Sequence, residues 1–115
     1  MIILHYPKCS TCKKAIRFLE EKKYVFKQRD IVNQKPTEEE LKKWIKISGK
    51  DIKKFFNTSG LKYRNQNLKE KTKNMTYEEK VKLLASDGML IKRPLLIMKN
   101  KVLIGFKQDE WEENI

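Results

Sequence analysis

The chain holds only two cysteines, three positions apart, in the run His5-Tyr6-Pro7-Lys8-Cys9-Ser10-Thr11-Cys12-Lys13-Lys14-Ala15. A thiol reacts through its thiolate, so the first question is what would keep one of these sulfurs ionised. The start of a helix would do so. Unsatisfied backbone N–H groups and the positive end of the helix dipole meet there, and both favour the anion. Lys8, Lys13 and Lys14 add positive charge nearby. In such settings a cysteine pKa falls from about 8.5 to roughly 3.5–7.5. Cys9 is therefore the expected nucleophile. Cys12, one turn further on and less exposed, can attack a mixed disulfide on Cys9 and release the partner, which is the part of a resolving cysteine.

Two other readings of the pair remain open. Both cysteines can be structural, since Cys12 alone would pass as a small core residue. A zinc site needs four ligands, and the chain offers one CxxC, one histidine and scattered carboxylates. No metal is expected.

The elements that would position the pair follow from pattern. Met1 to Tyr6 is short, apolar and stopped at Pro7, which reads as a buried strand. Cys12, Ala15, Ile16 and Leu19 fall at helical spacing and predict a helix from about Ser10 to Lys23, with Lys13, Lys14, Arg17, Glu20, Glu21 and Lys22 on its outer face. A strand over Tyr24 to Ile31 follows, and this strand–helix–strand connection makes the two strands parallel neighbours. Thr37 with Glu40, and Thr76 with Glu79, have capping-box spacing, so helices start at both places. The first buries Leu41, Trp44 and Ile45 and ends at Gly49. The second buries Val81, Leu84 and Ala85 and ends at Asp87-Gly88.

Between these helices the signals weaken. Ile52, Phe55 and Phe56 predict one short helix, Asn57 to Gly60 a loop, and Tyr63 with Leu68 another short helical piece. After Arg93-Pro94, Leu95 to Met98 reads as a strand. Lys99-Asn100 turns it into Lys101 to Ile104 as a hairpin. Asp109, Glu110, Glu112 and Glu113 mark a last helix anchored by Trp111.

At 115 residues the chain suits a single domain spanning 1–115. Nothing approaches the ~20 apolar residues of a membrane span, and the first residues lack the form of a signal peptide. A cytoplasmic location is expected, where a cysteine pair is more often catalytic or sensing than structural. The formal charge of +12 comes mainly from lysine spread along the whole chain. Without a recognisable motif to concentrate it, direct DNA or RNA binding is not expected.

The order of elements resembles a thioredoxin-like (glutaredoxin-like) α/β fold. That fold would have a mixed four-stranded sheet and a helical region, about 37–88, inserted between its βαβ and ββα halves. More closely, the chain resembles the ArsC/Spx/MgsR family, which joins glutaredoxin-coupled arsenate reductases to redox-responsive transcription regulators. The resemblance covers nearly the whole chain. Its carriers are Pro7 to Ala15, Phe55-Phe56-Asn57-Thr58-Ser59-Gly60, Leu84 to Pro94, and Gly105-Phe106.

The resemblance implies Cys9 as nucleophile, His5 as the histidine that favours its thiolate, Arg93 as the grip on an oxyanion, and a cis bond to Pro94. Lys8, Ser10 and Thr11, beside Cys9, complete the candidate substrate-binding set. Two further arginines of the arsenate reductases fall near Asn57 and Phe106, where this chain has none. Those reductases usually carry a serine or another non-cysteine in the place of Cys12, whereas Spx-like and MgsR-like proteins have the CxxC.

Two functions are thus implied. One is an enzyme reducing a small oxyanion such as arsenate, or a protein or glutathione disulfide. It would hold no bound cofactor and would take glutathione, glutaredoxin or thioredoxin as redox partner. The other is a redox-sensing regulator that binds RNA polymerase through its middle helices.

Overall fold

The computed structural model describes all of residues 1–115. Four strands form one mixed sheet: β1 (Ile2–His5), β2 (Lys27–Asp30), β3 (Leu95–Ile97) and β4 (Val102–Ile104), in the order β2-β1-β3-β4. β1 and β2 run parallel with Ile2 opposite Lys27, while β1–β3 and β3–β4 are antiparallel. Helix α1 (Ser10–Glu21) makes the crossover from β1 to β2. The inserted helical region expected from the sequence lies between β2 and β3, and α6 (Gln108–Asn114) follows the hairpin.

Successive strand residues face opposite sides of a sheet, so β1 feeds two separate cores. Leu4 and Leu95 point to the side covered by α2 (Glu38–Ser48) and α5 (Tyr77–Ser86), where they pack with Leu41, Val81 and Leu84. Ile3, Leu96 and Leu103 point to the other side, where Ala15, Phe18 and Leu19 of α1 meet Trp111 of α6. Trp111 is fully buried, and its indole N–H donates to the Gly105 carbonyl at 3.1 Å. A buried indole usually needs such a partner.

Local chemistry accounts for the helix boundaries. Both capping boxes form as the sequence predicts, with Thr37 and Glu40 opening α2 and Thr76 and Glu79 opening α5. Glu40 also receives two hydrogen bonds from Arg29, at 2.7 and 2.8 Å. Chiefly through those bonds, its carboxyl is held down to about 2. Gly49 closes α2 with φ +66, the left-handed conformation that glycine adopts most readily.

Three expectations change. α1 stops at Glu21 rather than Lys23, because Lys23 turns to φ +61 and the N–H groups of Lys22, Lys23 and Tyr24 satisfy the last helix carbonyls. The next strand then starts at Lys27, not Tyr24. Val25 is left 91% exposed. In the insertion, Ile52–Phe55 is a 3-10 helix. Tyr63 and Leu68 lie on two separate short helices, α3 (Leu61–Asn65) and α4 (Leu68–Lys71), divided by Asn67 at φ +52.

The end of the insertion is locked to the sheet at Gly88. A Cβ on this residue would clash with the Ile31 carbonyl oxygen, just past β2. That contact fixes the short 3-10 turn Gly88–Leu90, after which Ile91 bridges to Phe56 and the chain reaches Arg93. Gly88→Ala is expected to force a backbone shift and to destabilise the protein by about 1–3 kcal/mol, as overpacking does. Chemical denaturation checks this, and a variant as stable as the parent would contradict the close approach.

Candidate active site

Three segments meet at one end of the sheet. β1 delivers the chain to a turn at Pro7-Lys8, in which the Cys9 N–H donates to the Tyr6 carbonyl at 3.0 Å. Cys9 is then the N-cap of α1, in extended conformation (φ −93, ψ 116). Across the sheet, Leu4 pairs with Leu95, which brings the cis Arg93–Pro94 bond beside the chain leaving β1.

An N-cap side chain usually accepts from the first turn of its helix, a role that serine, threonine or aspartate oxygen commonly fills. Here the acceptor is sulfur, and the Cys12 N–H lies 3.3 Å from Cys9 Sγ. The N–H groups of Ser10 and Thr11, on the same turn, donate to no other group in the chain. The helix thus begins with one donor on the sulfur and two more left open in the same turn.

The two thiols are pulled in opposite directions. Partial burial raises the Cys9 pKa, but the hydrogen bonds from the Cys12 side chain and backbone, with the positive charge of Arg93, outweigh it. The net value lies below the ordinary 9.0. Cys12 is fully buried. Burial first, then the hydrogen bond to Cys9 and the negative charge on that sulfur, push Cys12 up to about 12. One sulfur is therefore reactive while its neighbour keeps its proton. Both are free thiols.

Arg93 lies over the Tyr6 ring, its guanidinium carbon 5.2 Å from the ring centroid. Its Nε and Nη1 are buried and have no hydrogen-bond partner. A buried charged donor left unpaired is costly, and an anion beside Cys9 would supply the missing acceptor. Planar guanidinium groups suit oxyanions for the same reason.

Of the predicted residues, Cys9, Cys12, Arg93 and Pro94 come together with the first turn that carries Ser10 and Thr11. Lys8 is exposed on the turn before Cys9, and the side chains of Ser10 and Thr11 are exposed as well. His5 stands differently. No hydrogen bond joins it to Cys9, and it lies opposite Asp30 in the β1–β2 register, where its charge lowers the Asp30 pKa behind two backbone N–H donors. Nowhere do three His, Cys, Asp or Glu side chains gather into a metal-binding group.

The position near which the resemblance puts a second arginine is filled by Phe106, whose ring sits 4.8 Å from Trp111 in edge contact and 5.7 Å from Phe18. Asn57 belongs to the loop after the Phe56–Ile91 bridge and donates its N–H to Leu90. Sequence pattern alone does not single out Tyr6, which supports Arg93. Its signal is slight, an aromatic residue at a strand end directly before proline.

At neutral pH, iodoacetamide is expected to modify Cys9 and to spare Cys12. Arg93→Gln should slow labelling of Cys9 several-fold by reducing its thiolate fraction. Mass spectrometry of the alkylated peptides reads both effects, and equal labelling of the two thiols would contradict the assignment.

Comparison with known proteins adds to this geometry. A model of the ArsC family matches residues 4–114. YusI, an uncharacterized protein of Bacillus subtilis (strain 168), is 56% identical over 109 residues, covering 95% of this chain and 92% of its own. The regulatory protein MgsR of the same organism is 30% identical over 105 residues, covering 91% of this chain and 82% of its own. Among solved structures, an ArsC family related protein from Bacteroides fragilis superposes with a TM-score of 0.94 at 50% identity, covering 97% of this chain and 94% of that one.

Proposed function

The chain belongs to the ArsC family, and from that premise we propose that it is a thiol–disulfide redox protein with Cys9 as nucleophile and Cys12 as resolving cysteine. The observation that carries this reading is the opposed pair of thiols. Cys9 is lowered by the hydrogen bonds from the Cys12 side chain and backbone and then by Arg93, and Cys12 is buried and raised to about 12 one turn away.

The reaction runs in two displacements. The Cys9 thiolate attacks one sulfur of a substrate disulfide, forming a mixed disulfide and expelling the other sulfur as a thiolate, which takes a proton. Cys9 has then lost its negative charge, and with it go the hydrogen bond and the repulsion that helped to raise Cys12. Cys12 gives up its proton more readily at this stage, attacks Cys9 Sγ and expels the second substrate thiolate. Two electrons have passed from the cysteine pair to the substrate, leaving a Cys9–Cys12 disulfide. An external thiol of the glutathione, glutaredoxin or thioredoxin type restores the dithiol by the reverse exchange.

Arg93, with two buried donors unpartnered, and the open N–H groups of Ser10 and Thr11 favour an anionic substrate group at the sulfur. A glutathione mixed disulfide carries carboxylates, and it fits this chain better than arsenate. An arsenate site built on three arginines would find Asn57 and Phe106 near its other two positions.

The similarity to MgsR supports a second reading. The same disulfide would then switch affinity for RNA polymerase, and no substrate would be turned over.

Steady-state reduction of a glutathione mixed disulfide separates the two. The enzyme reading expects turnover that is lost in Cys9→Ser, while Cys12→Ser accumulates a glutathione adduct on Cys9, seen as a mass increase. No turnover, combined with polymerase binding that depends on oxidation, would decide for the regulator.

A further inference from the structure

A groove of about 770 Å³ runs along the free edge of the sheet, beside β4. One wall is the end of α2 and the 3-10 helix after it, and the other is α6. Lys50, Lys53, Lys54, Lys92, Lys101 and Lys107 line it, against a single acidic residue, Glu110. None of the six lysines is in an ion pair, although Lys101 Nζ lies 3.3 Å from the Asn114 carbonyl.

The floor of this groove is unpaired backbone. In the β3–β4 ladder, Leu96 faces Leu103, and the flanking bonds run from Gly105 N–H to the Pro94 carbonyl and from Met98 N–H to the Lys101 carbonyl. Antiparallel strands alternate between residues that bond across the ladder and residues that turn their polar groups outward. With positions 101, 103 and 105 bonding inward, Val102 and Ile104 turn their N–H and C=O groups into the groove. Neither residue pairs with any other part of the chain.

We propose that this groove docks an extended, acidic segment of a partner protein, which adds a strand to the edge of β4 and sets its carboxylates among the lysines. The two outward donors and two outward acceptors match the backbone of an extended peptide. A polyphosphate or DNA backbone offers acceptors only and would leave the two carbonyls without donors, and RNA adds only its 2′-hydroxyls. The one aromatic residue in the lining, Phe56, is 4% exposed and gives bases nothing to stack on.

A second copy of this chain is also disfavoured as occupant. Each copy carries a formal charge of +12, and pairing two β4 edges would bring two sets of groove lysines together. Lysines beside an edge strand commonly prevent such pairing. Here they leave the edge open to a strand of opposite charge. The length fits a short segment, since a three-residue edge spans about 10 Å.

The site is separate from the thiol chemistry, although it abuts it. Lys92 precedes Arg93, and its side chain passes 3.4 Å from where a Cβ on Gly105 would stand. The proposal holds whichever substrate Cys9 takes.

The test uses the reduced full-length protein, labelled with 15N, and an alternating Glu-Val octapeptide. Saturable shifts at the Val102 and Ile104 amides are expected, with affinity falling as salt is added. Replacing Lys50, Lys53 and Lys54 together by alanine should weaken binding about tenfold. Methylating alternate peptide nitrogens should abolish it, because the added strand loses its donors. Val102→Pro removes one outward N–H without breaking a ladder bond, and should weaken binding in a protein that keeps its other amide signals. Equal binding of the methylated peptide or of a Lys-Val octapeptide would overturn the proposal. So would binding of polyphosphate or a single-stranded oligonucleotide where the acidic peptide shows none.

Discussion

The site depends on one hydrogen bond, from the Cys12 N–H to the sulfur of Cys9. The same contact does two jobs. It satisfies a donor that every helix leaves open in its first turn, and it gives the sulfur a partner that favours the anion. Helix initiation and thiol activation are therefore one local event. Because Cys12 supplies the N–H, its own thiol must lie one turn inside the helix, buried, and further raised by the negative charge it helps to stabilise. The difference between the two sulfurs follows from the geometry of three residues.

The remainder of the fold brings the third component. Arg93 comes from the far end of the chain, and several constraints bring it to Cys9. β1 pairs with β3 at Leu4 and Leu95, and the insertion between the sheet halves is fastened at Gly88 against the backbone after β2. Tyr6 then lies beneath the guanidinium. Two cores, one on each face of the sheet, hold these strands in register. Phe106 packs, partly buried, against the core under α1 and α6, so one of the positions where the family's reductases are expected to hold an arginine is here part of the packing.

What could be read from the sequence was what short-range chemistry decides. The cysteine pair, the strand that runs into it, both capping boxes and the final hairpin are set by residues within a few positions of one another. The mixed sheet and its inserted helices followed from the order of elements and the family resemblance. Boundaries without a local signal fall elsewhere than the residue pattern indicates. Val25 continues an apolar run in sequence, yet the turn at Lys23 leaves it in solvent, and Asn67 divides what reads as one helical piece. The stacking of Arg93 on Tyr6, the approach of Gly88 to Ile31 and the lysine groove all join segments distant in the chain. No periodicity or spacing within one segment could announce them.

Titration of the Cys9 Cβ resonance by 13C NMR reads the ionisation of that sulfur without any substrate. A midpoint below the ordinary 9.0 is expected, moving upward in Arg93→Gln, while the Cys12 resonance holds steady until strongly alkaline pH, near 12. A Cys9 midpoint at or above 9.0, or two cysteines titrating together, would contradict it.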